Sequence, residues 1–275
     1  MILSMRPFKE RFSYSPYWIG SAVSQTLSIP VVDHPVEERP ETVFSLGGQF
    51  GYCSWRDEYL DICKQAKRLI CLSNDYEIKI PSQLERLNPE IWTHIHGYGT
   101  HFVPWSALNL RPPLLDKQPT RTGLMYYGRM RGHREHLFDK YLQRSDWIST
   151  YDHEIEKWPQ IFKFASRFES FEDLAAYEWC LYLEDPAVKA GRAINNRFFE
   201  CLTAGVPLMF SIESVETLRH FGIDPFPIVD TREDIDKLLE SGTRAQVIAA
   251  QRKTFLERDW RGEVAPAIRE AYHLL

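Results

Sequence analysis

The strongest constraint on the fold comes from residues 195–210, where a helical pattern ends at a glycine and a short apolar run follows at once. Asn195 is a residue type that begins helices, and Gly205 is the residue type that most often ends them. The run after Pro207 is short enough for a buried strand rather than a second helix. A helix joined this closely to a buried strand is typical of α/β domains, in which strands and helices alternate.

The same alternation extends through the second half of the chain. Strands are predicted at 123–127, 147–150, 181–183, 207–210 and 227–229. Helices are predicted at 133–144, 171–179, 194–204, 215–221 and 232–240, with further helix from 244 onwards. This spacing predicts a parallel sheet with helices on both faces. Ligands of such sheets bind beyond the carboxyl ends of the strands.

The first half is predicted to form a second α/β unit after an irregular start. The first forty residues are rich in proline and are interpreted as irregular, with one short strand at 29–32. Further strands are predicted at 42–46, 68–72 and 91–95, and a helix at 55–67. The proline-rich stretch 111–119 is the best linker, so we predict an N-terminal domain of residues 1–115 and a C-terminal domain of residues 116–275.

Composition limits the classes of function. A hydrophobic content of 44% is enough for a sizeable core. The net charge of −5 argues against a general electrostatic hold on nucleic acid, although Arg129, Arg131 and Arg134 form a local basic group. Five cysteines without a CxxC pair argue against a disulfide framework or a zinc site. With neither a signal peptide nor a membrane span in the pattern, a cytoplasmic location is predicted, in the host cell if a phage encodes the protein.

A glycine directly after a predicted strand marks the first candidate site. In Tyr126-Tyr127-Gly128-Arg129, the glycine lets the backbone come close to a ligand. Arg129 would then stand at the carboxyl end of the strand, where a guanidinium can bind phosphate in a bidentate manner. The alternative is a tight turn with a solvated arginine.

Polar side chains are concentrated at the amino end of the helix predicted at 194–204, more of them than a helix cap needs. They are Lys189, Arg192, Asn195, Asn196 and Arg197. The free N–H groups of a helix N-terminus favour an anion such as a diphosphate. Glu200 lies on the same helical face as Asn196, where its carboxylate can accept hydrogen bonds from a ribose. The alternative is an ordinary capped helix.

Residues 195–207 resemble the donor-site signature of GT-B glycosyltransferases, in many of which a segment like NxRxFEALACGVP opens a helix that faces the nucleotide sugar. Gly128 and Arg129 resemble the phosphate-binding turn of that family. The resemblance implies an α/β fold of GT-B type, with two Rossmann-like domains facing each other across a cleft. It also implies a nucleoside-diphosphate sugar as donor, a UDP-sugar such as UDP-glucose being favoured, with no obligatory cofactor and no metal.

The resemblance also implies roles for individual residues. Glu200 would bind the ribose hydroxyls, Asn195 and Asn196 would hold the diphosphate, and Arg129 would neutralise it. The residues of this predicted donor site are Gly128, Arg129, Arg134, Lys189, Asn195, Asn196, Arg197 and Glu200. One departure concerns the earlier acidic residue of the family's motif, because Arg192 and Ala193 stand at the corresponding positions.

Loops after strands in the first half supply candidates for the acceptor side. An inverting transferase needs a general base there, and an aspartate or a histidine can serve. Asp75 is the first candidate catalytic residue and His96 the second. Gly48, Asn74 and Tyr76 are the other predicted acceptor-side residues. The alternatives are an Asx-turn at 74–75 and histidines at the edge of the core.

Other acidic and histidine pairs are weaker candidates. Asp234 and Asp236 match the Asp-x-Asp metal motif of another transferase fold, but in a helical pattern their side chains point in different directions. His94 and the histidine two residues later lack further metal ligands. Glu154 and Glu156 are interpreted as a solvated face.

The predicted function is transfer of a hexose from a UDP-sugar to a hydroxyl acceptor. The short N-terminal half resembles that of bacteriophage transferases that glycosylate hydroxymethylated pyrimidines in DNA, so modified double-stranded DNA is one predicted acceptor. Such an enzyme would extrude the base from the duplex. The alternatives are a glycan or small-molecule glycosyltransferase, a nucleotide-sugar epimerase of the same fold and a non-catalytic nucleotide-binding module.

Overall fold

The computed structural model describes residues 1–5, 7–9, 15–46, 53–73, 82–97, 99–130, 134–155, 162–184 and 193–274. The chain divides into two compact units. The first contains Met1–Leu108, Gly191–Ala193 and Asp259–Leu275, and the second contains Asn109–Ala190 and Ile194–Arg258. No helix in the described parts is both long enough and apolar enough to cross a membrane.

The strands and helices alternate along the chain. The strands are β1 (Ile2–Ser4), β2 (Val31–Val32), β3 (Thr42–Leu46), β4 (Arg68–Ser73), β5 (Glu90–Thr93), β6 (His101–Phe102), β7 (Arg121–Tyr127), β8 (Trp147–Ser149), β9 (Lys163–Phe164), β10 (Tyr177–Tyr182), β11 (Leu208–Ser211) and β12 (Ile228–Val229). The α-helices are α1 (Ser15–Leu27), α2 (Arg56–Gln65), α3 (Ser82–Glu85), α4 (Glu135–Tyr141), α5 (Asp152–Ile155), α6 (Phe171–Ala175), α7 (Asn196–Ala204), α8 (Val215–His220), α9 (Arg232–Glu240), α10 (Arg244–Phe255) and α11 (Val264–His273).

The first unit is built on a six-stranded parallel sheet with the strand order β2-β1-β3-β4-β5-β6. The interior residues of β3 and β4 are buried whichever face they point to, as expected for a parallel sheet covered on both sides. The buried hydroxyl of Tyr59 on α2 bonds the Ser45 hydroxyl at 2.7 Å and donates to the Leu3 carbonyl at 3.3 Å. Its polar atom is therefore satisfied inside the core.

The last helix, α11, belongs to the first unit, whereas the sequence analysis placed residues 259–275 in the second domain. Its buried residues Val264, Ile268 and Ala271 form one apolar face, and the helix packs against α1. The Arg68 guanidinium on β4 donates to the Tyr272 carbonyl at 2.9 Å. This assignment depends on a contact between the two ends of the chain, which local sequence patterns do not encode.

The second unit is also built on a six-stranded parallel sheet, with the strand order β12-β11-β10-β7-β8-β9. The chain builds β7, β8 and β9 outward on one side and then returns to add β10, β11 and β12 on the other. The order therefore reverses between β7 and β10. In an open parallel sheet, the crevice at the carboxyl ends of two such strands is where ligands bind.

The prediction of an irregular start is wrong, because residues 15–27 form α1 and residues 2–4 form β1. Pro16 lies in the first turn of α1, where a helix tolerates proline. Gly20 packs so closely that an added Cβ would approach side-chain atoms of Phe8 at 2.7 Å and Leu46 at 2.8 Å. Proline and glycine are typical loop residues in a sequence. Here Pro16 lies at the start of a helix, and Gly20 allows close packing against Phe8 and Leu46.

Several other boundaries follow the predictions closely. Strand β3 and helix α9 have the predicted bounds. Capping boxes, of Ser170 with Asp173 and of Thr231 with Asp234, fix the starts of α6 and α9. Helix α6 ends at Ala175 and β10 begins at Tyr177, so the prediction of helix through residue 179 is wrong. Strands β6 and β9 and helix α5 were not predicted, since elements of two to four residues are too short to show a period.

Candidate functional site

The turn after β7 lies where the strand order of the second unit reverses, and its backbone is firmly held. Gly128 has a φ of +131°, a conformation that side chains other than glycine rarely adopt. Its N–H donates to the Ser149 carbonyl at 3.0 Å, which extends the pairing with β8 beyond the end of β7. The Arg134 guanidinium donates to the Arg129 carbonyl at 3.3 Å and to the Tyr126 hydroxyl at 2.8 Å. Arg134 therefore braces this turn.

Glu154 is a second anchor of the turn, and the interpretation of it as part of a solvated face is wrong. The side chain is buried and accepts a hydrogen bond from the Met130 N–H at 2.8 Å. The Thr150 hydroxyl donates to the same carboxylate oxygen. A buried carboxylate that receives a backbone N–H and a hydroxyl is satisfied, so Glu154 fixes the loop rather than facing water. Glu156 lies outside the described residues.

The amino end of α7 comes to the same edge of the sheet. Asn195 is the N-cap, and its side-chain oxygen accepts a hydrogen bond from the Arg197 N–H at 3.1 Å. The Asn195 N–H donates to the Tyr182 hydroxyl at 3.0 Å, which ties the start of α7 to the end of β10. The helix ends at Gly205, whose φ of +73° is the left-handed conformation predicted for it.

Arg197 is buried, with 4% of its surface exposed. Its guanidinium carbon lies 4.6 Å from the ring centroid of Tyr126 and 4.9 Å from that of Tyr127. Among the described residues, its Nε and Nη1 atoms have no hydrogen-bond partner. Its Nη2 atom stands against Gly128, so closely that an added Cβ would collide with it. A buried guanidinium with two nitrogen atoms that lack polar partners is costly, and it is a group that an anionic ligand would satisfy.

Glu200 lies one turn further along α7 and is also buried. The Tyr127 hydroxyl donates to its Oε2 atom at 2.7 Å. Burial raises the pKa of Tyr127 well above its ordinary value, and the nearby Cys201 and Glu200 raise it further. The phenol therefore stays protonated at neutral pH and acts as a donor that orients the Glu200 carboxylate.

The structure brings together only some of the predicted donor residues. Gly128, Arg197 and Glu200 meet at the carboxyl end of β7, beside the capped start of α7. Arg129 is exposed, and its guanidinium carbon lies 5.4 Å from the ring centroid of Tyr151. The predicted residues Gly48, Asn74, Asp75, Tyr76 and Lys189 lie outside the described residues.

The two histidines after β5 in the first unit differ in environment. His96 is half-buried, and its ring stacks on Phe102 with the ring centroids 3.7 Å apart. His94 is fully buried, and burial lowers its pKa to about 4. His94 is therefore a neutral core residue at pH 7, and His96 remains the predicted alternative to Asp75 as a base.

Acidification is expected to destabilise the protein through His94. The unfolded chain takes up a proton as the pH falls below the ordinary histidine pKa of 6.5, whereas folded His94 stays neutral down to about pH 4. The linked loss of unfolding free energy is about 1.4 kcal/mol per pH unit across this window, and about 3 kcal/mol in total. Urea unfolding between pH 7 and 4.5 should show a shallower pH dependence for His94→Gln than for the unmodified protein. Equal slopes, or an imidazole that titrates near pH 6.5 by NMR, would contradict the expectation.

The acidic pairs singled out in the sequence have structural roles. The carboxylate of Asp234 accepts hydrogen bonds in the capping box with Thr231, and Asp236 pairs with Arg232 at 2.8 Å. Within the described ranges, no three histidine, cysteine, aspartate or glutamate side chains are grouped closely enough to hold a metal ion.

Comparison with known proteins gives matches among solved structures. Neither the protein-family models nor the curated protein sequences contain a match to this chain. The chain is similar to the DNA-modifying enzyme β-glucosyltransferase, solved with and without uridine diphosphoglucose, with a TM-score of 0.70 over 97% of this chain and 98% of that one at 12% identity. For T4 phage BGT in complex with UDP and Mn²⁺, the TM-score is 0.70 at 13% identity, over 97% and 98% of the two chains. For Anabaena Alr3699/HepE in complex with UDP-glucose, the TM-score is 0.52 at 12% identity, over 100% of this chain and 99% of that one.

The chain has the GT-B glycosyltransferase fold. Two six-stranded parallel sheets and a match along nearly the whole length support this assignment. The GT-B fold predicted from residues 195–207 is thereby confirmed, and the fold extends over residues 1–120, where the sequence patterns are weaker. At identities of 12% to 13%, the likeness establishes the fold and leaves the role of each residue to its own geometry.

Three residues of this candidate site were missed by the sequence analysis. Tyr126 and Tyr127 were predicted only as strand residues. Aromatic residues at a strand end are usually core residues, so nothing in the sequence marked these two as partners of Arg197 and Glu200. Glu154 carried no signal in sequence, because its partners are backbone and hydroxyl groups of neighbouring loops. The arrangement as a whole offers a buried guanidinium for an anion and an oriented carboxylate for hydroxyl groups.

Proposed function

We propose that the protein is a glycosyltransferase that moves a hexose from a nucleoside-diphosphate sugar, UDP-glucose being favoured, to a hydroxyl acceptor. The observation that carries the proposal is the buried Arg197, whose Nε and Nη1 lack partners among the described residues and whose Nη2 stands beside Gly128. This group lies where the strand order reverses, in a fold shared with proteins solved in complex with UDP or UDP-glucose.

The donor would be held by two kinds of contact. Arg197 would bind the diphosphate oxygens, assisted by the N-terminus of α7. Glu200 would accept hydrogen bonds from the ribose hydroxyls, in the orientation that Tyr127 gives it. Gly128 would let the diphosphate approach the backbone closely, because a side chain there would displace Arg197.

Transfer breaks the bond between the anomeric carbon and the diphosphate oxygen, and negative charge develops on the leaving diphosphate. A guanidinium that is buried and already positioned stabilises that charge without reorganising. The acceptor hydroxyl must lose its proton, for which Asp75 is proposed as general base, with His96 as the alternative. No metal is required by this scheme, and activity with and without EDTA and Mn²⁺ tests that point.

The proposed acceptor is a hydroxymethylated pyrimidine in double-stranded DNA. The support is the similarity over nearly the full length to a DNA-modifying β-glucosyltransferase and to the T4 phage enzyme. A glycan or a small molecule with a free hydroxyl, the other acceptor classes left open by the sequence, is the alternative.

One set of assays tests the proposal. Thermal shift with UDP, UDP-glucose and other nucleotide sugars identifies the donor, and donor turnover is then followed with and without a hydroxymethylated duplex. Binding of UDP-glucose with turnover that requires the duplex supports the full proposal. Donor rearrangement without any acceptor indicates an epimerase. Binding of the donor without turnover, whether the acceptor is a duplex, a glycan or a small molecule, indicates a nucleotide-binding module. If no nucleotide sugar binds, the proposed function is overturned.

Tyr127→Phe is expected to weaken binding of UDP by about fivefold to tenfold, because the hydrogen bond that orients the Glu200 carboxylate is worth about 1 kcal/mol or slightly more. The ribose hydroxyls are the partners of that carboxylate in the proposed site. Titration calorimetry with 2′,3′-dideoxy-UDP, which lacks them, should therefore give nearly the same affinity for the variant and the unmodified protein. A comparable loss of affinity for both nucleotides would show that Tyr127 acts on some other part of the site.

A further inference from the structure

Two guanidinium groups and an imidazole surround Tyr151 at the same edge of the second sheet. The guanidinium carbons of Arg129 and Arg167 lie 5.4 Å and 4.3 Å from the centroid of the Tyr151 ring. The His153 ring centroid lies 5.5 Å from it. We call these four residues the Tyr151 patch. Arg129, Tyr151 and Arg167 follow the adjacent strands β7, β8 and β9, so the topology places the patch at the carboxyl ends of these strands.

The patch carries positive charge that the described side chains do not neutralise. Arg129 and Arg167 are exposed, and neither forms an ion pair with a described residue. The nearby Glu154 carboxylate is buried and already accepts hydrogen bonds from Met130 and Thr150. Two guanidinium groups that share one ring repel each other, so an anionic partner at this position is favoured. The chain as a whole has a net charge of −5, so the positive charge of the patch contrasts with the rest of the protein.

Apart from Arg129, which stays a predicted donor residue, the patch is separate from the group assigned to the donor diphosphate. That group centres on Arg197, which is buried beside Gly128. Neighbouring strands are about 4.8 Å apart, so residues after β8 and β9 stand one and two strands away from the turn after β7. The patch is thus close enough to serve the same reaction and exposed enough to meet a large ligand.

We infer that the Tyr151 patch binds the phosphodiester backbone of a nucleic-acid acceptor, an inference that rests on the proposed function. Exposed guanidinium groups bind phosphate oxygens in a bidentate manner, and the Tyr151 ring holds the two guanidinium groups close to each other. Phosphate contacts of this kind set the position of the duplex and contribute little to base choice. The patch therefore places the acceptor next to the donor site.

The test measures binding of Arg167→Gln to a hydroxymethylated duplex at several salt concentrations. Loss of one phosphate contact is expected to weaken binding by about fivefold to tenfold at low salt and to reduce the slope of log K against log salt concentration by about one. Affinity for UDP is expected to stay unchanged, because Arg167 is not part of the donor group.

Arg121→Gln is the matched control. Arg121 is also an exposed arginine stacked on aromatic rings, 4.9 Å from Trp147 and 5.1 Å from Tyr177, but it stands at the amino end of β7. Its replacement should leave DNA affinity and salt slope unchanged. A double variant, Arg129→Gln with Arg167→Gln, should reduce the slope by about two.

The outcomes are distinct. An unchanged salt slope in Arg167→Gln, or an equal loss in Arg121→Gln, overturns the inference. So does a protein that turns over the donor but binds neither modified nor unmodified nucleic acid, and in that case the proposed donor chemistry stands. Weaker UDP binding by Arg167→Gln would assign the patch to the donor instead. A protein that binds no nucleotide sugar refutes the proposed function itself.

Discussion

Arg197→Met is expected to weaken binding of the nucleotide donor by about a hundredfold or more, because at least two charge-assisted hydrogen bonds of about 1.5 kcal/mol each are lost. The unfolding free energy of the ligand-free protein is expected to stay the same or to rise by about 1 kcal/mol. Nε and Nη1 have no partners among the described residues, so the replacement leaves no described acceptor unsatisfied. The interactions with the rings of Tyr126 and Tyr127 offset part of the gain.

Two measurements check this expectation. Titration calorimetry with UDP gives the loss of affinity, and urea unfolding without ligand gives the change in stability. Arg244→Met is the control, because the Arg244 side chain donates to the carbonyls of Gly205 at 2.9 Å and Glu178 at 3.0 Å. Its replacement leaves both carbonyls without that donor and should cost about 1–3 kcal/mol of stability. If Arg197→Met destabilises the protein as much as the control does, Arg197 is a structural residue.

Gly128→Ala is expected to weaken donor binding by about tenfold or more and also to lower the unfolding free energy by about 1–3 kcal/mol. The loss of stability follows from the φ of +131°, where an alanine is strained. The loss of binding follows from the Cβ atom, which would push the Arg197 guanidinium away from the turn. The two effects have different causes and can be separated.

Gly123→Ala provides the separation. Gly123 lies on β7, the strand before this turn, with a φ of +94°, but an added Cβ there would meet no atom within 4 Å. Both variants should therefore lose stability by similar amounts in urea unfolding, and only Gly128→Ala should lose affinity for UDP. Equal affinity in the two variants would remove Arg197 and Gly128 from the donor site.

Local signals explain why the second unit could be predicted well. Asn195 caps α7, Gly205 ends it and Thr231 caps α9, and each of these residues acts on backbone within a few positions of itself. The helix starts and strand ends that frame the candidate site follow from such signals. Their meeting at one edge of the sheet follows from the parallel alternation alone.

Contacts between distant segments explain what could not be predicted. The hydrogen bond from Tyr127 to Glu200 joins residues 73 positions apart, and Tyr127 looks in sequence like any other aromatic residue of a strand. Glu154 looks like a surface residue for the same reason. The sequence predicted both Arg129 and Arg197 as donor residues, but it could not show that Arg197 is buried beside Gly128 while Arg129 lies over Tyr151, since the direction of a side chain depends on its neighbours in space. The role of Arg129 as a donor residue stays a prediction.

The return of α11 to the first unit means that the second unit is an insertion in sequence, entered after Leu108 and left before Asp259. Apart from Gly191–Ala193, one continuous stretch holds the whole second sheet together with Arg197 and Glu200. A shortened gene for residues 109–258 would thus retain Gly128, Arg197 and Glu200 with their described contacts. A shortened gene for the first unit would need a linker that joins Leu108 to Asp259. Duplication or exchange of the second unit therefore requires two cuts in the gene rather than one.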